Sequence, residues 1–503
     1  MNVEWALSRR MNPPVRWLVG LLLPCLPMQS AWSASIPDLL DDPLASRPAV
    51  LSRGKPLPGD ERIVSCSTGV DHLQPLSLID AVDLALCNNT RIKAEWAAIK
   101  VRAAASGEAK AAFLPTLSGT LSRLNTSTHH PDFPGADTSD RGKTVSAGWN
   151  WRIFDFGGRI SNLKAAEALL AAALADHDAT LQRTLNTTVG AYFDAMTAQA
   201  SLNARLQATE LTNKTLQATN RREERGMAAR NDVLQAKTAL AKARLAEQRA
   251  RGDELKSMSM LSYVLGVSQQ TPFRLSEPEQ TPAVESMHEL SDWLEVTRAR
   301  HPALTSARAQ WQAAQERVTT TRSEGLPTLD FVSNFYRNGY PNQGLQSTRS
   351  DTTTIGVTLT VPVFEGFART YKIRGAQAQV EQSEAQWRDI EQQVLLEVVK
   401  AYADAQASLV NLGAADGLLS AARETLTSSM NRYDRGAADI LELLSVQGAL
   451  TDAQHERIRC LSEWQSARLR LWATAGVLGR EKLIPETSVA QQPREQSFST
   501  FAD

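Results

Sequence analysis

The chain has 503 residues, with 54 Lys and Arg against 55 Asp and Glu, and a net charge of −1 at neutral pH. That balance offers no electrostatic grip on nucleic acid, so none is expected as a partner. Aromatic residues are sparse at 6%, which suits helix–helix seams better than one broad core.

The N-terminus reads as a secretory signal over residues 1–33. Arg9, Arg10 and Arg16 precede an apolar run over 17–26, and Ala31 and Ser33 make an acceptable −3/−1 pair before cleavage. The run is short and broken by Pro24 and Pro27, which argues against a retained anchor. Cys25 suggests a lipoprotein, but Pro24 stands where a small residue is needed. Residues 34–76, rich in Pro, Ser, Gly and Asp, form an irregular tail. Cys66, Cys87 and Cys460 remain after cleavage; a Cys66–Cys87 disulfide and three isolated thiols both fit.

Helical patterning runs over 77–112 and stops at Leu114-Pro115-Thr116-Leu117. A strand follows to about Leu124, then a polar loop over 125–143. Val145, Ala147, Trp149, Trp151 and Ile153 then alternate with Thr144, Ser146, Gly148, Asn150 and Arg152, the period of a strand. The stretch 158–225 is proline-free; as one helix it would be on the order of 100 Å long at ~1.5 Å per residue. It is too polar to cross a bilayer. It stops near Gly226, and a further helix spans 231–265. Residues 266–288 are a connector.

Everything then recurs over 289–476. A helix is expected over 289–324. Leu326-Pro327-Thr328-Leu329 repeats the first such motif 212 residues later. Ile355, Val357, Leu359, Val361 and Val363 alternate with Thr and Gly. Downstream the offset is 210: Phe154-Asp155 matches Phe364-Glu365, Arg159 matches Arg369, Gly226 matches Gly436, and Asp232 matches Glu442. The second long helix covers 367–435, a last helix 439–475, and a polar tail 477–503. Residues 77–265 and 289–476 are therefore two copies of one unit.

Each copy reads helix, strand, strand, long helix, turn, helix. The two shorter helices together match the long one, so they stack end to end beside it. The connector then falls at mid-height, with strands at one end of the rod and a helical hairpin tip at the other. The strands, about 11 residues each, have the length of a tilted membrane strand. Four strands cannot close a barrel, and an open edge is not tolerated in lipid. Three chains supply twelve. A soluble four-stranded sheet capping a coiled coil is the competing arrangement.

The duplicated plan, the Leu-Pro-Thr-Leu motifs, Phe154-Asp155-Phe156-Gly157-Gly158-Arg159, Pro362-Val363-Phe364-Glu365-Gly366 and the Arg-x-x-x-Gly turns resemble the TolC family of outer-membrane channel proteins. The resemblance covers about residues 75–476. It implies a mainly α fold with a membrane β-barrel portion: a homotrimer whose twelve-stranded barrel lies in the outer membrane of a Gram-negative bacterium, continued by an α-helical coiled-coil tunnel through the periplasm. It implies a periplasmic adaptor and an inner-membrane ABC transporter or other pump as partners. The plan also fits the type I secretion branch, which exports haemolysin- or cyclolysin-type toxins. Small-molecule efflux is the alternative cargo class. A periplasmic coiled-coil adaptor or scaffold is the alternative of another class, but adaptors carry compact β-domains and usually one hairpin.

No enzyme, cofactor or metal chemistry is expected. The seven histidines are scattered without ligand spacing, and His129-His130 lie in a loop. No Gly-rich phosphate loop follows a strand. The informative positions are the tips, where Gly226 and Met227, and Gly436 and Ala437, reverse the helices. By the resemblance these contact the adaptor and line the tunnel entrance. The resemblance also makes Glu442 part of an acidic constriction ring and joins Tyr433 to Asp232. The family's second ring acid falls on Ser445, and its latch arginine on Ala438, so ring and latch depart from the pattern. Trp149, Trp151, Phe154 and Phe364 are placed at the barrel's interfaces with water.

Overall fold

The computed structural model describes residues 42–53, 75–132, 135, 137–268, 273–276, 289–339 and 350–479. The expected signal peptide, most of both tails, Cys25 and Cys66 lie outside these residues. The chain divides into two compact units, Met1–Ser46 and Arg47–Asp503. In the first, the described part is a turn in which Ser46 donates from N and Oγ to Asp42 Oδ1, at 2.9 and 3.0 Å. The second holds a helical turn, Val50–Arg53, and all the elements below.

In order these are α1 (Leu78–Asn88), α2 (Thr90–Ala111), β1 (Thr116–Thr128), β2 (Thr138–Phe154), α3 (Gly158–Glu224), α4 (Arg230–Leu265), α5 (Leu290–Arg300), α6 (Pro302–Ser323), β3 (Thr328–Asn338), β4 (Ser350–Thr360), α7 (Ala368–Asp434) and α8 (Ile440–Thr474). The long helices are each 67 residues. Two expectations need correction. The helices expected over 77–112 and 289–324 are each broken in two. Asn89 interrupts the first, its side chain accepting from Arg91 N at 2.8 Å. His301, ahead of Pro302, interrupts the second, its ring Nδ1 accepting from Ala303 N at 3.2 Å. A capping side chain competes with the preceding turn for backbone donors, and proline is tolerated only at a helix start. Much of the loop expected over 125–143 is also strand: β1 and β2 have 13 and 17 residues, whereas β4 ends at Thr360, before Val361 and Val363.

Seam spacing explains why the helices stay paired. Along α7 the buried residues include Val394, Val398, Ala401, Ala405, Ser408, Leu412, Ala415 and Leu419. Steps of four and three alternate, the 3.5-residue period of a coiled coil. α7 buries this seam against α8, with α5 and α6 beside it. α3 is gripped from more sides, by α1, α2, α4, α6 and α8.

The stacked helices do meet at mid-height. Gly266, which ends α4 at φ 68°, lies so close to α1 that a Cβ there would sit 2.9 Å from Asn88 Cβ. Its counterpart Gly476, after α8 at φ 78°, would place a Cβ 2.8 Å from Pro302 Cδ. The connector is seated here. Leu76 N donates to Arg274 O (2.7 Å), Ser276 N to Leu76 O (3.0 Å), and the Tyr192 hydroxyl, halfway along α3, to Leu76 O (3.1 Å). Cys87, in α1, is disulfide-bonded, and Cys460 is a buried free thiol. Burial pushes the Cys460 thiol above its ordinary pKa.

Two left-handed residues stand before each long helix: Phe156 (φ 50°) and Gly157 (φ 84°) in the first copy, Gly366 (φ 60°) and Phe367 (φ 63°) in the second. Phenylalanine in this region costs about 1–2 kcal/mol. An arginine then ties each junction. Arg159 donates to Asp155 Oδ2 (2.8 Å), Arg152 O (2.8 Å), Ile153 O (3.2 Å) and Ala112 O (3.3 Å). Arg369 donates to Glu324 Oε2 (2.7 Å), Glu365 Oε1 (3.1 Å) and Thr321 O (3.2 Å).

Candidate functional site: the membrane sheet and the hairpin tips

The four strands form one antiparallel sheet in the order β1-β2-β3-β4. Strand periodicity fixes two faces, and the register decides what shares each. Leu117, Trp149, Ser333 and Ile355 lie in one row across the sheet, and Trp151, Phe331 and Val357 in another on the same face. On the opposite face the rows are Thr116, Asn150, Val332 and Gly356, then Ser118, Gly148, Asn334 and Thr354, then Thr120, Ser146, Tyr336 and Thr352. Ser122 and Thr144 hydrogen-bond to each other there. One charge pair occupies this polar face near the helices: Arg152 Nε donates to Asp330 Oδ1 at 2.9 Å.

Burial is inverted relative to a soluble sheet. Leu117 and Leu121 are 77% and 76% exposed, and Ile355, Val357 and Leu359 are exposed with them, while polar Thr144 and Asp330 are buried. Water does not stabilise such a face; hydrocarbon does. Among the described residues no helix is long and apolar enough to cross a membrane.

The aromatic positions gather at the strand–helix junctions. Trp151 points from the apolar face and its indole N–H donates to Phe113 O at 3.0 Å. Phe154 packs edge-on against Phe156, with ring centres 4.8 Å apart, and Phe364 against Phe367 at 5.5 Å. All four rings are exposed. Trp149 is half-buried, one row further into the sheet. Phe156 and Phe367 were not legible as interface residues, since only their left-handed backbone brings them beside Phe154 and Phe364.

At the far end, both tips make the same turn. Gly226 (φ 72°) donates to Glu223 O and Met227 N to Arg222 O, each at 2.8 Å. Gly436 (φ 77°) donates to Tyr433 O at 3.0 Å, and Ala437 N to Arg432 O at 2.8 Å. The left-handed glycine satisfies the last carbonyls of the long helix. Gly226, Met227, Gly436 and Ala437 are all exposed.

The acids are held differently. Asp232 accepts from Ala229 N at 3.0 Å, serving its own helix start. Glu442 accepts from Arg432 Nη1 at 2.9 Å and from Ser429 Oγ at 3.0 Å. The expected Tyr433–Asp232 bond is not made. The buried Tyr433 hydroxyl lies 3.3 Å from Thr219 Oγ1 instead. Arg222 takes the place of the acid: its Nη1 donates to Tyr433 O at 2.8 Å, and its guanidinium stands 4.5 Å above the Tyr433 ring. Deeper along the same seam, Gln447 Nε2 donates to Thr215 Oγ1 at 2.9 Å. Ala438 is too short to act as a latch and packs against Tyr433, Ile440 and Leu443, while Ser445 is exposed.

Sequence reasoning missed Arg222 and Arg432. A signal existed, because the two are 210 residues apart and so occupy the same place in the repeat. Among the described residues, no cluster of His, Cys, Asp and Glu is arranged to hold a metal.

Comparison with known proteins gives a consistent outcome. The family model described as outer membrane efflux protein matches twice, over residues 81–267 and 293–477. Protein CyaE of Bordetella pertussis is 33% identical over 83% of this chain and 88% of its own. The alkaline protease secretion protein AprF of Pseudomonas aeruginosa is 24% identical over 60% of this chain and 63% of its own. Among solved structures, the CmeC outer membrane channel of Campylobacter jejuni superposes with a TM-score of 0.71 at 17% identity, covering 82% of this chain and 88% of that one.

Proposed function

We propose, on the premise that this chain belongs to the outer membrane efflux protein family, that it is the exit duct of a type I protein secretion system. The chain is an outer-membrane channel subunit whose helical part reaches into the periplasm. Its cargo, and the partners that load it, are the proposal.

The observation that carries the duct reading is the sheet. All four strands agree on an apolar face and a polar face whose one described charge pair, Arg152–Asp330, is internally neutralised, yet β1 and β4 each leave an open edge. Open edges in hydrocarbon strand backbone donors and acceptors. Three copies close the ring at twelve strands, with the Thr-, Ser- and Asn-rich face inward. The lumen then holds water and offers little for a polypeptide to stick to. The helical pairs extend the same lumen to the tips, where an adaptor and an inner-membrane pump dock on the turns at Gly226–Met227 and Gly436–Ala437. Protein rather than small-molecule cargo is supported by the likeness to AprF, itself named for protease secretion.

Glu442 sets the charge at the entrance. Threefold symmetry brings three carboxylates around the axis, each held by its own Arg432 and Ser429. A ring of this kind attracts cations and repels anions. Opening is a shift of one hairpin relative to its neighbour, favoured by adaptor contacts that fit the open arrangement better.

Two experiments test this. Cells lacking the chain should retain a secreted protein and regain export on complementation; unchanged protein export with increased drug sensitivity would assign small-molecule efflux instead. In planar bilayers, Glu442→Gln should lower cation preference severalfold at unchanged trimer yield, and unaltered selectivity would remove Glu442 from the constriction.

A further inference from the structure

The apolar face of the sheet ends abruptly on its side away from the helices. Leu121 and Val145 face each other across β1 and β2, and the next row on that face is Arg123 opposite Lys143. Arg141, opposite Asn125, is one row further on the same face. One step of two residues, ~6–7 Å along a strand, replaces exposed hydrocarbon with cations. Arg123, Arg141 and Lys143 are all exposed.

Among the described residues these cations are not spent on the protein. Among the described residues, no carboxylate lies within ion-pair distance of any of the three. Arg141 Nε makes one weak hydrogen bond, 3.4 Å, to the Asn125 amide oxygen. The nearby acid Asp137 is engaged with His130 N (2.9 Å) and His129 Nδ1 (2.7 Å), contacts that hold its carboxyl below the ordinary value. β3–β4 behaves differently one row nearer the helices, where Arg337, opposite Val145, and Asp351 neutralise each other through two bonds of 2.8 and 2.9 Å. The polar face behind the three cations carries Ser122, Leu124, Gly142 and Thr144, so they do not line the lumen.

We propose that Arg123, Arg141 and Lys143 form a cationic rim at the outer edge of the lipid-facing band, docking the phosphate-bearing headgroups of the outer leaflet. The rim is continuous with the apolar band, so a lipid whose chains lie on Leu117 and Leu121 places its phosphate at Arg123 and Lys143. Charge complementarity supplies the choice of lipid, since cations at a membrane surface are attracted to anionic headgroups, and arginine binds phosphate through paired donors. In a trimer the rim occurs three times, once on the first hairpin of each chain.

This rests on the barrel reading, and the test separates the two. Wild-type trimer and the Arg123→Gln/Arg141→Gln/Lys143→Gln variant are inserted into liposomes, then extracted with equal phosphatidylglycerol and phosphatidylcholine and examined by native mass spectrometry. Wild type should retain phosphatidylglycerol at least tenfold over phosphatidylcholine, and the variant should lose most of that preference. The charge-keeping variant Arg123→Lys/Arg141→Lys should retain it, which also controls for misfolding. Arg152→Gln, on the lumen face, should leave it unchanged. Equal preference in wild type and the triple variant overturns the rim, as does an adduct with inorganic phosphate alone and no lipid preference. Failure of wild type to insert at all overturns the barrel reading instead.

Discussion

The two hairpin tips carry the same turn and the same arginine, yet the arginines do opposite things. Arg432 folds back onto Glu442 of its own hairpin. Arg222, its counterpart, reaches across to Tyr433 of the other hairpin. The difference lies in the neighbours. Where the second copy has Glu442, the first has Asp232, one methylene shorter and already engaged at Ala229 N. Where the second copy has Tyr433, the first has Glu223, so no aromatic ring stands ready to receive Arg432. Duplication supplied one scaffold, and two substitutions divided the work: one tip ties the hairpins together, the other presents an acid.

The equator repeats the pattern, with a shared feature and a divergent one. Gly266 and Gly476 are both left-handed and both pressed against the neighbouring helix end. The largest predicted effect tests that shared part. Gly266→Ala and Gly476→Ala each combine a strained φ with a contact below 3.0 Å, and should cost roughly 3 kcal/mol or more, within the range of overpacked cores. Gly226→Ala and Gly436→Ala, with open space around them, should cost only about 1 kcal/mol for the φ alone. Thermal unfolding of the four variants checks this; equal losses at tips and equator would break the distinction.

The divergent feature is Asn89 against His301, each accepting a backbone N–H at a helix start. Burial pushes the His301 imidazole down from 6.5 to about 4, and a hydrogen bond with the Thr474 backbone offsets this only in part. The folded state therefore binds fewer protons than the unfolded one between these values. Stability is whole above about pH 6.5 and falls as pH drops towards 4, by ~3 kcal/mol at most. His301→Asn, which copies the first half, should remove that portion of the pH dependence. An unchanged pH–stability curve would show that His301 does not carry it.

The smallest effect addresses the tips directly. Arg222→Ala should cost ~1–2 kcal/mol and raise the open fraction in bilayer recordings, because the tie between hairpins is lost. Arg432→Ala should alter selectivity through Glu442 with less change in opening. Identical phenotypes would mean that the two arginines are equivalent after all.

Much of this was legible because it is periodic. The repeat offset, the strand alternation at Val145–Ile153 and the proline-free helices each impose a pattern that a single residue cannot disguise. The break at Asn89 was missed because it sits inside otherwise continuous helical patterning, where a side-chain cap competes with only one turn and leaves the apolar spacing intact; the break at His301 did carry a signal, since Pro302 is tolerated only at a helix start. β2 was expected too short because Thr138–Gly142 lacks apolar alternation, and pairing with β1 supplied what local propensity did not. The Tyr433 partner was illegible for another reason. It depends on which residues of α3 come opposite Tyr433 of α7, here Thr219 and Arg222, a tertiary pairing that spacing within either helix does not encode.

The left-handed pairs at Phe156–Gly157 and Gly366–Phe367 also fix where each long helix starts. Helix growth is cheap once nucleated, and neither long run contains a proline to halt it. Growth from α3 or α7 back towards the strands meets two consecutive residues that the folded chain holds left-handed, outside a right-handed helix. Each pair is a firebreak. The order of Phe and Gly differs between the copies, so either order stops the helix. Each long helix therefore begins at a fixed residue, Gly158 or Ala368, and the segment on the strand side keeps its own geometry beside it.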